Sequence, residues 1–130
     1  MIVVVIIANS VSKLRASDGT VVATSPVGSF PDSIAFDGAN MWVTNAANRT
    51  FSKLRASDGA NLGNFVVGSE PRFVTFDGVN IWVANFNSQS ITKLRAFDGA
   101  NLGNFPLSSN QAVMFNSNRS KIFQLKISTY

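Results

Sequence analysis

The sequence predicts an all-β repeat fold, and three observations carry the prediction. The first is a period. Lys13-Leu14-Arg15-Ala16-Ser17-Asp18-Gly19 returns at Lys53 to Gly59 and again at Lys93 to Gly99, each time 40 residues on, and residues 31–70 share 21 identities with residues 71–110. The second is the content of each period: four short runs rich in Val, Ile, Phe, Trp and Thr, with no helical spacing. The third is the punctuation between the runs, where Asp-Gly, Asn and Pro supply turn chemistry. Four strands in about 40–45 residues form one blade of a β-propeller. The 130 residues therefore hold about 3.25 blades.

Taken in order, residues 1–30 form a partial blade, 31–70 and 71–110 two complete blades, and 111–130 a remainder. In the complete blade 31–70 the strands a, b, c and d are expected at Ser33–Phe36, Met41–Asn45, Thr50–Ala56 and Leu62–Val67. Strand c reads Lys53 out, Leu54 in, Arg55 out, the alternation of a sheet with one wet face. The a–b and c–d turns both carry Asp-Gly, where glycine supplies a positive φ. Met1–Ser10 reads as a b strand with no a strand before it, Trp42-Val43-Thr44 mapping onto Ile2-Val3-Val4. Gln111–Asn116 reads as a surplus a strand, followed by a degenerate segment, Lys121–Ser128.

The repeats resemble a known family. Ile34-Ala35-Phe36-Asp37-Gly38, Trp42-Val43-Thr44-Asn45 and Ser52-Lys53-Leu54-Arg55 are similar to the YVTN-type repeat, close to NHL repeats and to the propeller of streptogramin (virginiamycin B) lyases. The resemblance covers residues 1 to about 110 and implies a propeller. It would also imply C–O lyase activity through histidine-based acid chemistry and a divalent metal, yet the chain contains no histidine.

Composition narrows function further. Without His or Cys there is no His-containing triad, thiolate nucleophile, disulfide or Cys-ligated metal. The repeated aspartates each precede a glycine and are read as turn caps, so no metal or other cofactor is expected. Asp32 with Glu70 is the one candidate acidic dyad for a hydrolase-like reaction. The basic pairs Lys13/Arg15, Lys53/Arg55 and Lys93/Arg95 are read as a solvated outer strand. With only Leu and Ala between them, no nucleic-acid partner is expected. The longest apolar run, Ile2 to Ala8, is far shorter than the roughly 20 residues of a membrane helix, and no membrane partner is expected. The compartment is not specified by the sequence.

In a propeller the d–a and b–c loops share one face and the a–b and c–d turns the other. The Asp-Gly face repeats nearly unchanged, whereas the loop face varies, as a scaffold with one recognition surface would. Candidate binding residues on that loop face are Asp32, Asn48, Arg49, Glu70, Arg72, Phe86, Asn87 and Gln89, with Phe86 as the exposed aromatic. Trp42 and Trp82 are expected between blades. Sequons stand at Asn48-Arg49-Thr50 and Asn118-Arg119-Ser120.

Three blades are too few to close a ring of the usual four to eight. The partial b-c-d sheet and the surplus a strand are complementary, so the expected partner is another copy. Two copies would give a six-bladed ring, and an exchange that does not close would give a filament. A piece of a longer propeller is a further reading. The expected function is a non-enzymatic scaffold or binding module, with a polymer or protein on the loop face.

Overall fold

The computed structural model describes residues 2–107 and, as strands, residues 112–116 and 122–126. These residues form thirteen antiparallel strands and, among them, no helix. β1 (Ile2–Ile7), β2 (Ser10–Arg15) and β3 (Val21–Pro26) make a three-stranded sheet. β4 (Pro31–Phe36), β5 (Asn40–Asn45), β6 (Thr50–Arg55) and β7 (Asn61–Val66) make the first four-stranded sheet. β8 (Pro71–Phe76), β9 (Asn80–Asn85), β10 (Ser90–Arg95) and β11 (Asn101–Pro106) repeat it 40 residues later. β12 (Ala112–Asn116) pairs with β13 (Ile122–Lys126), so the surplus strand belongs to a hairpin. The sequon at Asn118 and the ends of the two carboxy-terminal segments lie outside the described residues.

Every strand pairs with its neighbour in sequence, the a-b-c-d meander of a blade. The turns follow from local chemistry. In the a–b turn Asp37 Oδ1 accepts the Ala39 and Asn40 amides at 3.0 and 2.7 Å, and Gly38 sits at φ 100°. In the c–d turn Asp58 Oδ1 accepts the Ala60 amide at 3.0 Å, and Gly59 sits at φ 76°.

The first blade departs from the expected alignment. Ile7 pairs with Ser10, whereas Asn45 pairs with Thr50, so its b–c turn is two residues shorter. Val4, opposite Lys13, therefore occupies the place of Trp42, opposite Lys53, and the mapping of Trp42 onto Ile2 is off by two. An even shift keeps each side chain on its face, which is why the strand tolerates it.

The core lies in two seams between blades. In the first, Val11 of β2, with Val4, Ile6 and Val27, meets Met41, Val43, Leu54, Ile34 and Ala56 of the second blade. In the second seam, Trp42, Phe51, Phe65 and Val67 meet Val74, Ile81, Val83, Leu94 and Ala96 of the third. Trp42 and Phe51 are fully buried, with ring centroids 5.0 Å apart.

Because an inner blade is covered on both faces, strand c has no wet face, and the expected outward Lys53 is only 8% exposed. Its Nζ crosses the seam to the carbonyls of Ala96 and Phe97 at 3.0 and 3.2 Å, and lies 4.9 Å from the Trp42 ring centroid. Lys13 does the same to Ala56, at 2.9 Å, and to Ser57. Arg15, Arg55 and Arg95 are bound to Asp18, Asp58 and Asp98 of their own c–d turns. Lys53 is thus a buried clasp, Lys13 a half-buried one, and the arginines are turn braces; the solvated outer strand assigned to the basic pairs is d, not c.

Candidate loop-face site

Two loops per blade build the loop face, and backbone hydrogen bonds stitch them together. The carbonyls of Ser29 and Phe30 in the d–a loop accept the amides of Ala47 and Ala46 in the following b–c turn, at 3.2 and 2.9 Å. Ser69 and Glu70 accept Asn87 and Phe86 in the same way. These bonds require Phe30 and Glu70, each preceding a proline, to take φ of 58° and 57°, a conformation unfavourable for side chains larger than glycine. Arg49 and Gln89 are likewise at φ 55° and 48°, and their carbonyls accept the Val67 and Leu107 amides. With Ala8, at φ 53° in the first b–c turn, all five such non-glycine residues among the described ones lie on the loop face.

Asn45, the last residue of β5, holds the loops from beneath. Fully buried, it donates from Nδ2 to Thr50 Oγ1 and Ser52 Oγ at 3.2 and 3.0 Å and accepts the Gly28 amide at 3.1 Å. A side chain at position 28 would collide with it, which accounts for Gly28. Asn85 repeats the donor half of this network to Ser90 and Thr92, but its Oδ1 has no partner among the described residues.

Between the second and third blades these loops enclose an open depression of about 470 Å³, lined by Phe30, Ala46, Ala47, Arg49, Ser69, Glu70, Arg72 and Asn87. Four of the sequence candidates, Arg49, Glu70, Arg72 and Asn87, line it. Asp32 joins through Arg72, whose guanidinium lies 2.6 Å from Glu70 and 3.5 Å from Asp32. Hydrogen bonding to Glu70 outweighs partial burial and raises the Arg72 pKa above its already high ordinary value. The two carboxylates offered as an acid–base dyad are therefore bridged by a cation. Asn48 accepts Thr50 Oγ1 beside the depression, while Phe86 and Gln89 stand outside its lining.

Phe30 was not anticipated. It is 62% exposed, more than Phe86 at 39%, and supplies the aromatic wall. The signal was present in the repeat, since Phe30 occupies the position of Glu70 40 residues earlier. Arg49 is exposed, and among the described residues its guanidinium has no hydrogen bond or ion pair. The site thus combines one open cation, one aromatic ring and an internally paired Asp32–Arg72–Glu70 cluster that keeps one net negative charge.

On the turn face the carboxylates are occupied differently. Burial opposes ionisation of Asp37, but the Trp42 Nε1–H at 2.7 Å and the turn amides hold its pKa below the ordinary aspartate value. Asp77 and Trp82 repeat the arrangement. These aspartates serve turns and indoles, as their Asp-Gly context implied.

No family model matches the sequence, and no curated protein matches it. Among solved structures, hydrazine synthase of Kuenenia stuttgartiensis superposes with a TM-score of 0.74 at 18% identity, over 92% of this chain and 40% of that one. A streptogramin B lyase gives 0.66 at 22% identity, over 94% and 49%. The WD40 repeats of RRP9 give 0.66 at 12% identity, over 76% and 33%. The chain spans at most about half the length of these proteins. Four-stranded blades with a 40-residue period, together with these superpositions, establish that the chain has the β-propeller fold.

Proposed function

We propose that the chain is a non-enzymatic propeller module that assembles from identical copies and binds a polymer or protein across its loop face. The observation that carries the reading is the mismatch of its sheets. β1–β3 is a three-stranded sheet that we read as b-c-d, and β12, in a separate hairpin with β13, is read as the surplus a strand. A propeller closes by building a blade from such parts. β12 pairs with β13 in this chain, and in the proposed exchange it would pair with β1 of another copy instead. Two copies so joined give six blades.

Each loop-face depression would offer Arg49 and Phe30, suited to an anionic or carbonyl-rich chain that also presents an apolar group. The Asp32–Arg72–Glu70 cluster supports binding over hydrolysis, because Arg72 already engages both carboxylates.

Light scattering tests the assembly. The ring predicts a discrete mass of twice 14.0 kDa, about 28 kDa. A concentration-dependent ladder supports the second reading, a strand-exchanged filament, which the same unmatched edges favour. Deleting residues 111–130 is expected to abolish either assembly, and an oligomer unchanged by that deletion would refute the strand exchange.

A further inference from the structure

We infer that the trailing face of the third blade docks on the leading face of another copy's first blade through the contacts that already form both internal seams. This rests on the assembly reading and specifies its interface. At the first seam Lys13 Nζ binds the Ala56 and Ser57 carbonyls, and at the second Lys53 Nζ binds those of Ala96 and Phe97, a translation of 40 residues. In the proposed assembly of copies, the equivalent carbonyls for Lys93 are those of Ala16 and Ser17 of a second copy. Lys93 already holds the required pose, its Nζ 5.0 Å from the Trp82 ring centroid as Lys53 lies 4.9 Å from that of Trp42.

A second contact translates in the same way. Ser25 Oγ donates to the Gly59 carbonyl at 2.8 Å, and Phe65 covers Gly99. The next pair is Phe105 with Gly19 of the other copy. Phe105 is 44% exposed, and Gly19 has no atom of the described residues within 4 Å of where a Cβ would stand. Among the described residues nothing covers either face. Ala16 is exposed where Ala96 is buried, and Leu14 is half-buried where Leu54 and Leu94 are buried.

A chain without cysteine allows a clean crosslinking test. A Cβ at Gly59 would lie 3.7 Å from that of Ser25, within disulfide range. Under mild oxidation Ser25→Cys/Gly59→Cys is expected to close within one chain. Gly19→Cys/Phe105→Cys is expected to link two chains, giving a reducible species at twice the chain mass. Lys93→Met is expected to raise the dissociation constant at least tenfold. If the native chain stays at 14.0 kDa at every concentration, the assembly reading itself fails. If the native chain is dimeric, the control closes, and Gly19→Cys/Phe105→Cys neither links chains nor survives as anything but an intrachain bond, this interface is wrong while the assembly stands. An unaltered dissociation constant for Lys93→Met would also overturn the clasp.

Discussion

The two seams are built on the same backbone 40 residues apart, yet they are filled differently. The first is closed by small side chains, Val4, Val11 and Ser25; the second holds Trp42, Phe51 and Phe65 in the corresponding places. What both share is the lysine that reaches two carbonyls of the next c–d turn and the glycine that receives a side chain from the preceding d strand. The clasp sets the spacing and rotation of the blades, and the apolar filling sets how strongly each seam holds. The filling can therefore drift between repeats while Lys-Leu-Arg-Ala and Asp-Gly stay fixed.

Truncations separate the seams most strongly. Trp42→Ala or Phe51→Ala removes a fully buried ring and is expected to cost about 3–5 kcal/mol in urea unfolding. Val11→Ala in the first seam is expected to cost about 2 kcal/mol. Equal losses would contradict the claim that the second seam is the more strongly filled.

The clasps come next. Lys53→Met leaves the Ala96 carbonyl without its partner in a buried setting, at a cost of about 1.5–3 kcal/mol. Lys13 is half-buried, so Lys13→Met is expected to cost less. The reverse order would show that the ammonium contributes through charge at the surface and not through the buried bonds.

The smallest effect is acid sensitivity. Asp37 has a depressed pKa in the folded chain, so its stabilisation is complete above the unfolded aspartate value of about 3.9 and is lost as pH falls through the lower folded value. Trp42 loses its indole acceptor in that window, and no counterpart exists in the first seam, where Val4 stands in its place. Tryptophan emission below about pH 4 should therefore change, and Asp37→Asn should remove the part that comes from Trp42, leaving that of Trp82 on Asp77. A response unchanged in that variant would exclude Asp37 as its source.

Much of this was legible in the residues. The period set the blades, and the strands of the blade 31–70 fall within two residues of their expected bounds because Asp-Gly and Pro mark their ends, whereas the expected first strand Met1–Ser10 stops at Ile7. The shortened first b–c turn was hidden because a shift of two preserves facing. The burial of Lys53 was hidden because alternation along a strand shows which side chains share a face, not whether another blade covers it. On the loop face, Arg49, Glu70, Arg72 and Asn87 could be named from loop position, since the loops follow directly from the strands. Phe30 was legible only by comparing repeats, where it stands at the position of Glu70; its 62% exposure goes with a left-handed backbone before Pro31.

The most direct test of a propeller completed between copies is its shape in solution by small-angle X-ray scattering. A closed two-copy ring predicts a concentration-independent radius of gyration of about 18 Å, following the size scaling of compact chains. A value of about 14 Å, that of a compact single chain, or one that grows with concentration would contradict the closed ring.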